Sequence, residues 1–349
     1  MRIKEFGKNT KGDKATLYVF ENQNGMEMHV TDFGATLQKL YVQDKYNVKK
    51  DVVLGYDAPI DYEGPSGTFF GATVGRHANR IGNASFEHNG KVYHLEKNNG
   101  NNNLHSGYDF WSFRVWNVKK TTENSITFAL HSPDGDQGYP GNVDVEVTYT
   151  LTEDNRVVID YFAVPDQDTP MNMTNHSYFN LNGHESGNIR EQLMWIDADA
   201  FTRTNAELIP TGEIISVEGT PMDFRVKKKI GLEIDDDYEA LKLGNGYDHN
   251  WVLNNQGIVT KVAQLSSEES GINMEVYTDL PGMQIYTANF VVNEPGKEGV
   301  VYQKNQGVCF ETQYYPDSVN HKNFKSCICK KDEVYRTRTE FKFFVNEVE

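Results

Sequence analysis

The sequence has few cysteines and no long apolar run, and each shortage excludes a class of protein. It has three cysteines, Cys309, Cys327 and Cys329. A disulfide framework needs a larger and even number of them. Every apolar run is shorter than the roughly 18 residues that a transmembrane helix needs. The first residues also lack the apolar segment of a secretory signal. We therefore expect a cytoplasmic protein without a membrane partner.

Basic residues are also in short supply. The chain has 34 Lys and Arg against 50 Asp and Glu, which gives a formal net charge of −16. Nucleic acids and anionic membranes both require a basic surface. The composition therefore excludes nucleic acid as an expected partner and disfavours strongly anionic substrates.

The usual cofactor motifs are missing. The chain has no Walker loop, no strand-linked GxGxxG, no HExxH, no CxxC pair and no GxSxG elbow. Cys327 and Cys329 lie two residues apart but have no further metal-ligand neighbours, so a structural role is favoured over metal binding. We expect no nucleotide, metal or other cofactor.

What the chain does contain is mostly strand and turn. Alternating runs meet at Asn24-Gly25 and again at Asn89-Gly90, which are strong hairpin signals. The one clear helical segment is short, at Asp237 to Lys242, and no βα alternation appears. Many short strands with frequent turns favour an all-β sandwich or barrel. We find no linker or repeat, so residues 1–349 are predicted to form a single domain.

The segment "MNMTNHSYFNL", residues 171–181, has two unlike faces when read with the period of a strand. Met171, Met173, Phe179 and Leu181 fall on one side, which is predicted to pack on the core. The side that carries His176 also carries Asn, Thr and Tyr residues. This second side is either an ordinary solvated face or the floor of a binding site.

Several polar residues in strands or at strand ends are candidates for chemistry. They are Asn79, Arg80, His105, His176, Asp248, Gln284 and Glu311. Each alone has a bland alternative, such as a salt bridge for Arg80 or a turn cap for Asp248. Glu311 is the most unusual, because "VCFETQ" places its carboxylate among apolar residues, where burial is costly unless the group is paired or used.

Taken in order, the segments resemble the aldose 1-epimerase family, also called galactose mutarotases. The resemblance covers nearly the whole chain and is carried by "DFGATLQKLYV", "DVVLGYD", "GRHANRIGNASF", "NNLHSG", "DGDQGYPGNV", "TNHSYFNL", "TPMDFR", "YDHNW" and "GVCFETQYYPDSVNH". Three positions depart from the usual family pattern: His77, Ser106 and Val319. None of them is a residue that the family uses for chemistry, so local adjustment is expected.

The resemblance implies a large antiparallel β-sandwich, the galactose mutarotase-like supersandwich, with the sugar in an open cleft on one sheet. It also implies an isomerase that interconverts the α and β anomers of free aldoses such as galactose and glucose. The ring must open and reclose, with a base at the anomeric hydroxyl and an acid at the ring oxygen. By resemblance, Glu311 is the base and His176 the acid, and both residue types suit such transfers.

The remaining candidates are assigned to binding by the same resemblance. His105 is expected near the ring oxygen, where it assists the acid or binds. Asn79, Arg80, Asp248 and Gln284 are expected to hold sugar hydroxyls, since paired hydrogen bonds suit vicinal diols. An aromatic face is expected against the sugar ring, and both Phe290 and Tyr178 are available.

Three other functions remain open at the level of sequence. A glycoside hydrolase could use Glu311 and Asp248 as its carboxylate pair, although that mechanism needs no imidazole. A relative that acts on phosphorylated hexoses would need an Arg or Lys cluster, which is not visible. A non-catalytic sugar sensor could keep the pocket without turnover.

Overall fold

The computed structural model describes residues 1–345, and β-strands dominate them. In chain order the strands are β1 Arg2–Lys8, β2 Lys14–Glu21, β3 Glu27–Thr31, β4 Thr36–Gln43, β5 Lys49–Asp51, β6 Thr73–Val74, β7 Arg80–Ile81, β8 Ser85–His88, β9 Lys91–His94, β10 Asn103–Leu104, β11 Asn117–Thr121, β12 Ser125–Ser132, β13 Val143–Leu151, β14 Arg156–Pro165, β15 Thr169–Pro170, β16 Thr174–Asn175, β17 Tyr178–Phe179, β18 Leu193–Ile196, β19 Ala200–Thr204, β20 Pro210–Ser216, β21 Lys228–Lys229, β22 Asp248–Val252, β23 Thr260–Ser266, β24 Ile272–Thr278, β25 Gly282–Tyr286, β26 Glu294–Pro295, β27 Val301–Tyr302, β28 Val308–Gln313, β29 Ile328–Cys329 and β30 Tyr335–Val345.

Helices in the described residues are short. The α-helices are α1 Pro59–Tyr62 and α2 Glu239–Gly244, and the 3₁₀ turns are Gly82–Ala84, Trp111–Phe113, Asp136–Gly138, Ile230–Leu232, Lys297–Gly299 and Ser318–Asn320. None of the helices in residues 1–345 combines the length and apolar composition that crossing a bilayer requires.

Three sheets organise the fold. A nine-stranded sheet has the order β11-β12-β13-β14-β30-β24-β23-β18-β21, and a six-stranded sheet has the order β17-β28-β25-β22-β19-β20. A five-stranded sheet, β1 to β5 in sequence order, forms the N-terminal part. Neighbouring strands within these sheets run antiparallel. The predicted all-β, large antiparallel sandwich is confirmed.

The main core lies between the inner faces of these sheets. In β13, Val143, Val145 and Val147 are buried at every second position, while Asp144 points outward. They join one apolar cluster with Trp251 and Phe310 of the six-stranded sheet. Full burial of each such side chain stabilises the fold by about 1.5–3 kcal/mol relative to exposure. This cluster packs the six-stranded sheet against the nine-stranded sheet.

Strand β28 differs from β13 because every one of its residues is buried. Phe310 joins the core on one face. The opposite face, with Cys309 and Glu311, is also closed from solvent. A strand covered on both sides can hold a polar side chain away from bulk water, and this is what happens at Glu311.

Local predictions are largely confirmed. The hairpins at Asn24-Gly25 and Asn89-Gly90 join β2 to β3 and β8 to β9. The helix predicted at Asp237 to Lys242 is present as α2, shifted by two residues. The single-domain reading of residues 1–349 stays a prediction, and its last four residues lie outside the described part.

The segment 171–181 is only partly as expected. Its apolar side does join the core. Its other side is not a uniform cleft floor, because the chain pairs in short pieces, β16 and β17, and is buried throughout. Asn172 bonds the backbone of Tyr314, and the Asn180 amide donates to the carbonyls of Gly187 and Gln306. The alternation in the sequence assigned each residue to one face of the strand, but it did not indicate how deeply each residue is buried.

Candidate active site

The six-stranded sheet brings distant parts of the chain to one face. Gln284 of β25 lies directly opposite Glu311 of β28, and Asp248 of β22 lies opposite Tyr286 of β25. Directly paired residues of an antiparallel sheet share a face. Because of this register, three segments that are separate in sequence meet within one patch.

A two-stranded ribbon, β7 with β10, supplies the next group. Arg80 pairs with Leu104, so Asn79 and His105 lie side by side at its end. The backbones of Asn79 and His105 have positive φ values of 63° and 52°. Phe69, which packs edge-on against the His105 ring at 4.7 Å, has a φ of 54°. Left-handed non-glycine residues are strained by about 1–3 kcal/mol each and tend to cluster at functional sites.

These groups surround a cleft of about 580 Å³. Every predicted site residue except Gln284 lines it. The cleft-lining set among the predicted residues is Asn79, Arg80, His105, His176, Asp248 and Glu311. Gln284 lies behind this surface, where its Nε2 donates to Asp248 Oδ1 at 2.7 Å. Gln284 therefore contacts the cleft through Asp248 rather than directly.

Glu311, His176 and His105 form the centre of the cleft. His176 Nε2 lies 3.5 Å from Glu311 Oε1. The rings of His105 and His176 are 5.4 Å apart and nearly perpendicular, at 78°. One ligand-type atom from each of the three residues lies within 4.8 Å of the others. Two imidazoles and a carboxylate are therefore close enough to contact the same small group in the cleft.

The hydrogen bonding of His105 bears on whether this trio suits a metal. The backbone N–H of Asn79 donates to His105 Nδ1 at 3.0 Å. A neutral imidazole that accepts at Nδ1 carries its proton on Nε2. A metal-binding histidine instead donates from the nitrogen that does not bind the metal. The arrangement therefore makes His105 Nε2 a hydrogen-bond donor toward the cleft rather than a metal ligand.

Charged partners surround the trio. Arg80 Nη1 lies 3.9 Å from Asp248 Oδ2, and Arg80 Nε donates to Asn99 Oδ1 at 3.2 Å. Because Asp248 also accepts from Gln284, its carboxylate is held from two sides. The pair presents a fixed donor and a fixed acceptor to anything bound in the cleft.

Burial drives the pKa values of the central pair in opposite directions. It raises the pKa of Glu311 well above the ordinary value, and the negative charge of Asp248 adds to this while Arg80 opposes it. Burial lowers the pKa of His176 to about 4. The pKa of His105 also falls well below its ordinary value, first by burial and then through the neighbouring His176 and Arg80. All three groups are pushed toward their neutral forms.

Two aromatic residues were candidates to face the sugar, and the structure separates them. Tyr178 is buried and stacks on the His176 ring at 5.1 Å and 24°. Phe290 is 59% exposed, and both residues line the cleft. Phe290 is therefore the one with a free aromatic face.

Sequence reasoning missed several residues of the site. Cys309 Sγ lies 3.5 Å from His176 Nδ1, and Tyr286 lines the cleft. Both could have been found from alternation, since Cys309 lies two residues before Glu311 and Tyr286 two after Gln284. Phe69 had no such signal, because "GTFFGATVG" reads as an ordinary apolar stretch.

Sequence comparison relates the chain to known proteins. The family model for aldose 1-epimerase matches residues 16–342. The chain belongs to the aldose 1-epimerase family. It is 40% identical over 333 residues to the aldose 1-epimerase of Haemophilus influenzae, covering 94% of this chain and 95% of the relative. It is 39% identical over 332 residues to the galactose mutarotase of Homo sapiens, covering 95% of both.

Solved structures of aldose 1-epimerase relatives share the fold. The GalM/aldose epimerase homologue from C. elegans superposes with a TM-score of 0.88 at 30% identity, over 95% of this chain and 99% of that one. The galactose 1-epimerase from Lactobacillus acidophilus gives 0.86 at 26% identity, over 99% and 98%. The predicted family and enzyme class, an isomerase that interconverts aldose anomers, are thereby confirmed.

Two of the departures from the family pattern contact each other. The His77 backbone N–H donates to Ser106 Oγ at 2.8 Å, and Ser106 Oγ donates back to the His77 carbonyl at 3.0 Å. The His77 ring is fully buried, and burial lowers its pKa to about 3. The two changes thus form one local adjustment beneath the ribbon that carries His105.

Replacing Glu311 by Gln is expected to stabilise the fold at neutral pH, because burial disfavours the charged carboxylate. An unfolded glutamate titrates near about 4.3, whereas the folded pKa is raised. Destabilisation by the carboxylate therefore grows as pH rises from the unfolded value through the folded one. Thermal unfolding followed by circular dichroism should give Glu311→Gln and the parent equal melting temperatures near about pH 4, and a gap that widens toward about pH 8.

The matched control is Glu123→Gln, which changes an exposed glutamate in the turn between β11 and β12. Its melting temperature should follow that of the parent at every pH. A Glu311→Gln variant that melts with the parent across the whole range contradicts the raised pKa.

Proposed function

We propose that the cleft binds one free aldose, such as galactose or glucose, and that Glu311 and His176 move the two protons of ring opening and closure. The observation that carries the proposal is the buried contact of 3.5 Å between His176 Nε2 and Glu311 Oε1. A base and an acid so close can reach the anomeric hydroxyl and the ring oxygen of one pyranose, which are both bonded to C1.

For the proton transfers to balance, Glu311 and His176 must together carry one exchangeable proton. Glu311 as carboxylate takes the proton of the anomeric hydroxyl, while the C1–O5 bond breaks and His176 as imidazolium protonates O5. The products are the open-chain aldehyde, a protonated Glu311 and a neutral His176. Rotation about C1–C2 then presents the other face of the aldehyde, and the same transfers in reverse close the ring.

The surroundings of the pair favour this direction of transfer. With one proton the pair is either an ion pair or two neutral groups, and burial favours the neutral form. The opposite pKa shifts of Glu311 and His176 express that preference. Ring opening from the ion-pair form leaves both groups neutral, which is the form that burial favours.

Binding is proposed to fall to the groups around the pair. His105 Nε2–H can donate to the ring oxygen or to a neighbouring hydroxyl. Arg80 and Asp248 offer a donor and an acceptor for a vicinal diol, and Asn79 lines the same wall. Gln284 supports binding indirectly, because its amide fixes Asp248.

The rival functions fit the cleft less well. A hydrolase would need a second carboxylate as its partner in catalysis, but Asp248 is already held by Gln284 and lies near Arg80. A phosphorylated sugar would need a basic cluster, and Arg80 is the one cationic side chain among the described cleft-lining residues. A sensor would not need the buried acid–base pair. The cytoplasmic location remains a prediction from the sequence.

Glu311→Gln should lower the rate of mutarotation by about 10²–10⁴-fold, since it removes one positioned base and leaves the shape of the site. The measurement is polarimetry of freshly dissolved α-D-galactose and α-D-glucose, with buffer rates subtracted. Binding of galactose, measured by calorimetry, should persist. Glu123→Gln is the control and should match the parent, and full activity in Glu311→Gln would refute the role of Glu311 as base.

The pH profile should be broad, because the active pair carries one proton and its two pKa values are spread apart. On the acid side kcat/KM is expected to fall near about pH 4, where a second proton reaches His176. On the alkaline side it should fall where Glu311 loses the shared proton, well above the ordinary range of a glutamate. An acid limb at the ordinary histidine value of about 6.5 would argue against the assignment.

Phe290→Ala should raise KM about fivefold with little change in kcat, because an apolar face against the sugar is worth about 1 kcal/mol. Phe290→Tyr should restore the parent value, since it keeps the ring. Tyr46→Ala, which removes another exposed aromatic residue, serves as the control. Equal KM values for Phe290→Ala and the parent on both sugars would exclude stacking at Phe290.

A further inference from the structure

The cleft-facing side of the six-stranded sheet continues past Glu311 as a row of amides. Gln284 lies directly opposite Glu311, and Asn250 lies opposite Gln284 on the next strand. Gln313, two residues after Glu311, shares the same face and lies opposite Gly282. Buried polar side chains therefore continue along this face, behind the cleft surface, on three adjacent strands.

These amides are buried, and apart from the Gln284 Nε2 bond to Asp248 their side-chain atoms lack hydrogen-bond partners within the described residues. Asn250 is 1% exposed and Gln313 is fully buried. Within residues 1–345 the following side-chain atoms find no partner: Glu311 Oε2, Gln284 Oε1, Asn250 Oδ1 and Nδ2, and Gln313 Oε1 and Nε2. Most buried polar groups in folded proteins have at least one hydrogen-bond partner. A contiguous group of unsatisfied amides next to a proposed catalytic base therefore requires an explanation.

The bare backbone of Gly282 allows the amide of Asn250 to lie close against the sheet. Gly282 has no side chain, and a Cβ there would lie 2.5 Å from Asn250 Oδ1 and 2.7 Å from Tyr315 Cδ1. Tyr315 packs edge-on against Phe324 at 5.2 Å. The amides are thus gathered over a bare glycine, with an aromatic wall beside them.

We propose that Asn250 and Gln313 hold internal water against the Oε2 atom of Glu311 and so act as positioning residues for the base. This inference rests on the proposed role of Glu311. Buried water typically makes about three hydrogen bonds to groups that the protein leaves unsatisfied. The two amides offer both donors and acceptors, which is the chemistry that water matches and that an ion does not.

The effect on Glu311 follows from charge. Its Oε1 faces His176, and its Oε2 is the oxygen without a partner. A water held by amides can donate to Oε2 and stabilise the carboxylate, against the burial that disfavours it. The other titratable and charged groups at this face are His105, His176, Tyr178, Asp248, Tyr286, Cys309, Arg80 and Tyr315, and all of them stay unchanged in the amide variants.

The test uses Asn250→Leu and Gln313→Met, which keep the side-chain size and remove the amides. The titration of Glu311 is followed by NMR of ¹³C-carboxyl-labelled glutamate, with the signal assigned by its loss in Glu311→Gln. Each variant should raise the midpoint of the Glu311 titration by about one pH unit, a tenfold change in proton affinity. Because neither residue lines the cleft, kcat should fall about tenfold while KM stays within about twofold.

Tyr161→Phe is the matched control, since it removes a buried hydroxyl that is also unpartnered in the described residues but belongs to the nine-stranded sheet. It should leave both the midpoint and kcat unchanged. Asn250→Ser keeps a hydroxyl that can bind the water, so its Glu311 midpoint should lie close to that of the parent. An unmoved midpoint in Asn250→Leu and Gln313→Met, whatever their melting temperatures, overturns the inference.

A second measurement needs no variant. Long-lived water beside the amides should give cross-relaxation between water and the side-chain NH₂ signals of Asn250 and Gln313 in the parent protein, and its absence also overturns the inference. The two proposals fail separately. If Glu311→Gln retains activity, the proposal that Glu311 is the base is wrong. If Glu311→Gln is inactive but the amide variants leave the Glu311 midpoint unchanged, only the proposal of bound water is wrong.

Discussion

The burial of the Glu311 carboxylate beside His176 is the constraint on which the rest of the site depends. Strand β28 is covered by the core on one face and by the cleft residues on the other. A charged carboxylate in this position is destabilising, and so is a charged imidazole. The large antiparallel sandwich supplies the packing that offsets this cost. In return, the interactions of the pair with the partial charges that develop during ring opening are stronger than they could be in water.

The same fold contains a second buried pair, Lys297 and Asp51, whose contacts are typical of an ion pair with a structural role. Lys297 donates to Asp51 Oδ2 at 2.6 Å and to the carbonyls of Gln38 and Val53. All the hydrogen-bonding capacity of that ammonium group is used, as a stable buried ion requires. His176 and Glu311 are instead 3.5 Å apart, and Glu311 Oε2 has no partner within the described residues. The looser contact leaves room and bonding capacity for a ligand, which supports a role in turnover rather than in folding.

Much of this could be predicted from the sequence, and the failures have physical causes. The hairpins were readable because Asn-Gly pairs tolerate the left-handed turn that joins two strands. Glu311 stood out because a carboxylate among apolar residues is unusual. The depth of Gln284 was not readable, because alternation assigns a face and not the neighbour that covers it. Phe69 could not be found either, since its position against His105 depends on a backbone conformation that its residue type does not favour.

The two histidines differ in a way that no sequence pattern contains, and the difference supports the proposed division of labour. The Asn79 backbone N–H donates to His105 Nδ1, and the His105 N–H donates back to the Asn79 carbonyl at 3.1 Å. A rigid amide thus fixes the tautomer of His105, which suits a constant donor. His176 Nδ1 has only the weak Cys309 thiol beside it. No strong partner there fixes one tautomer, which supports the proposal that His176 is the imidazole that gains and loses a proton within each turnover.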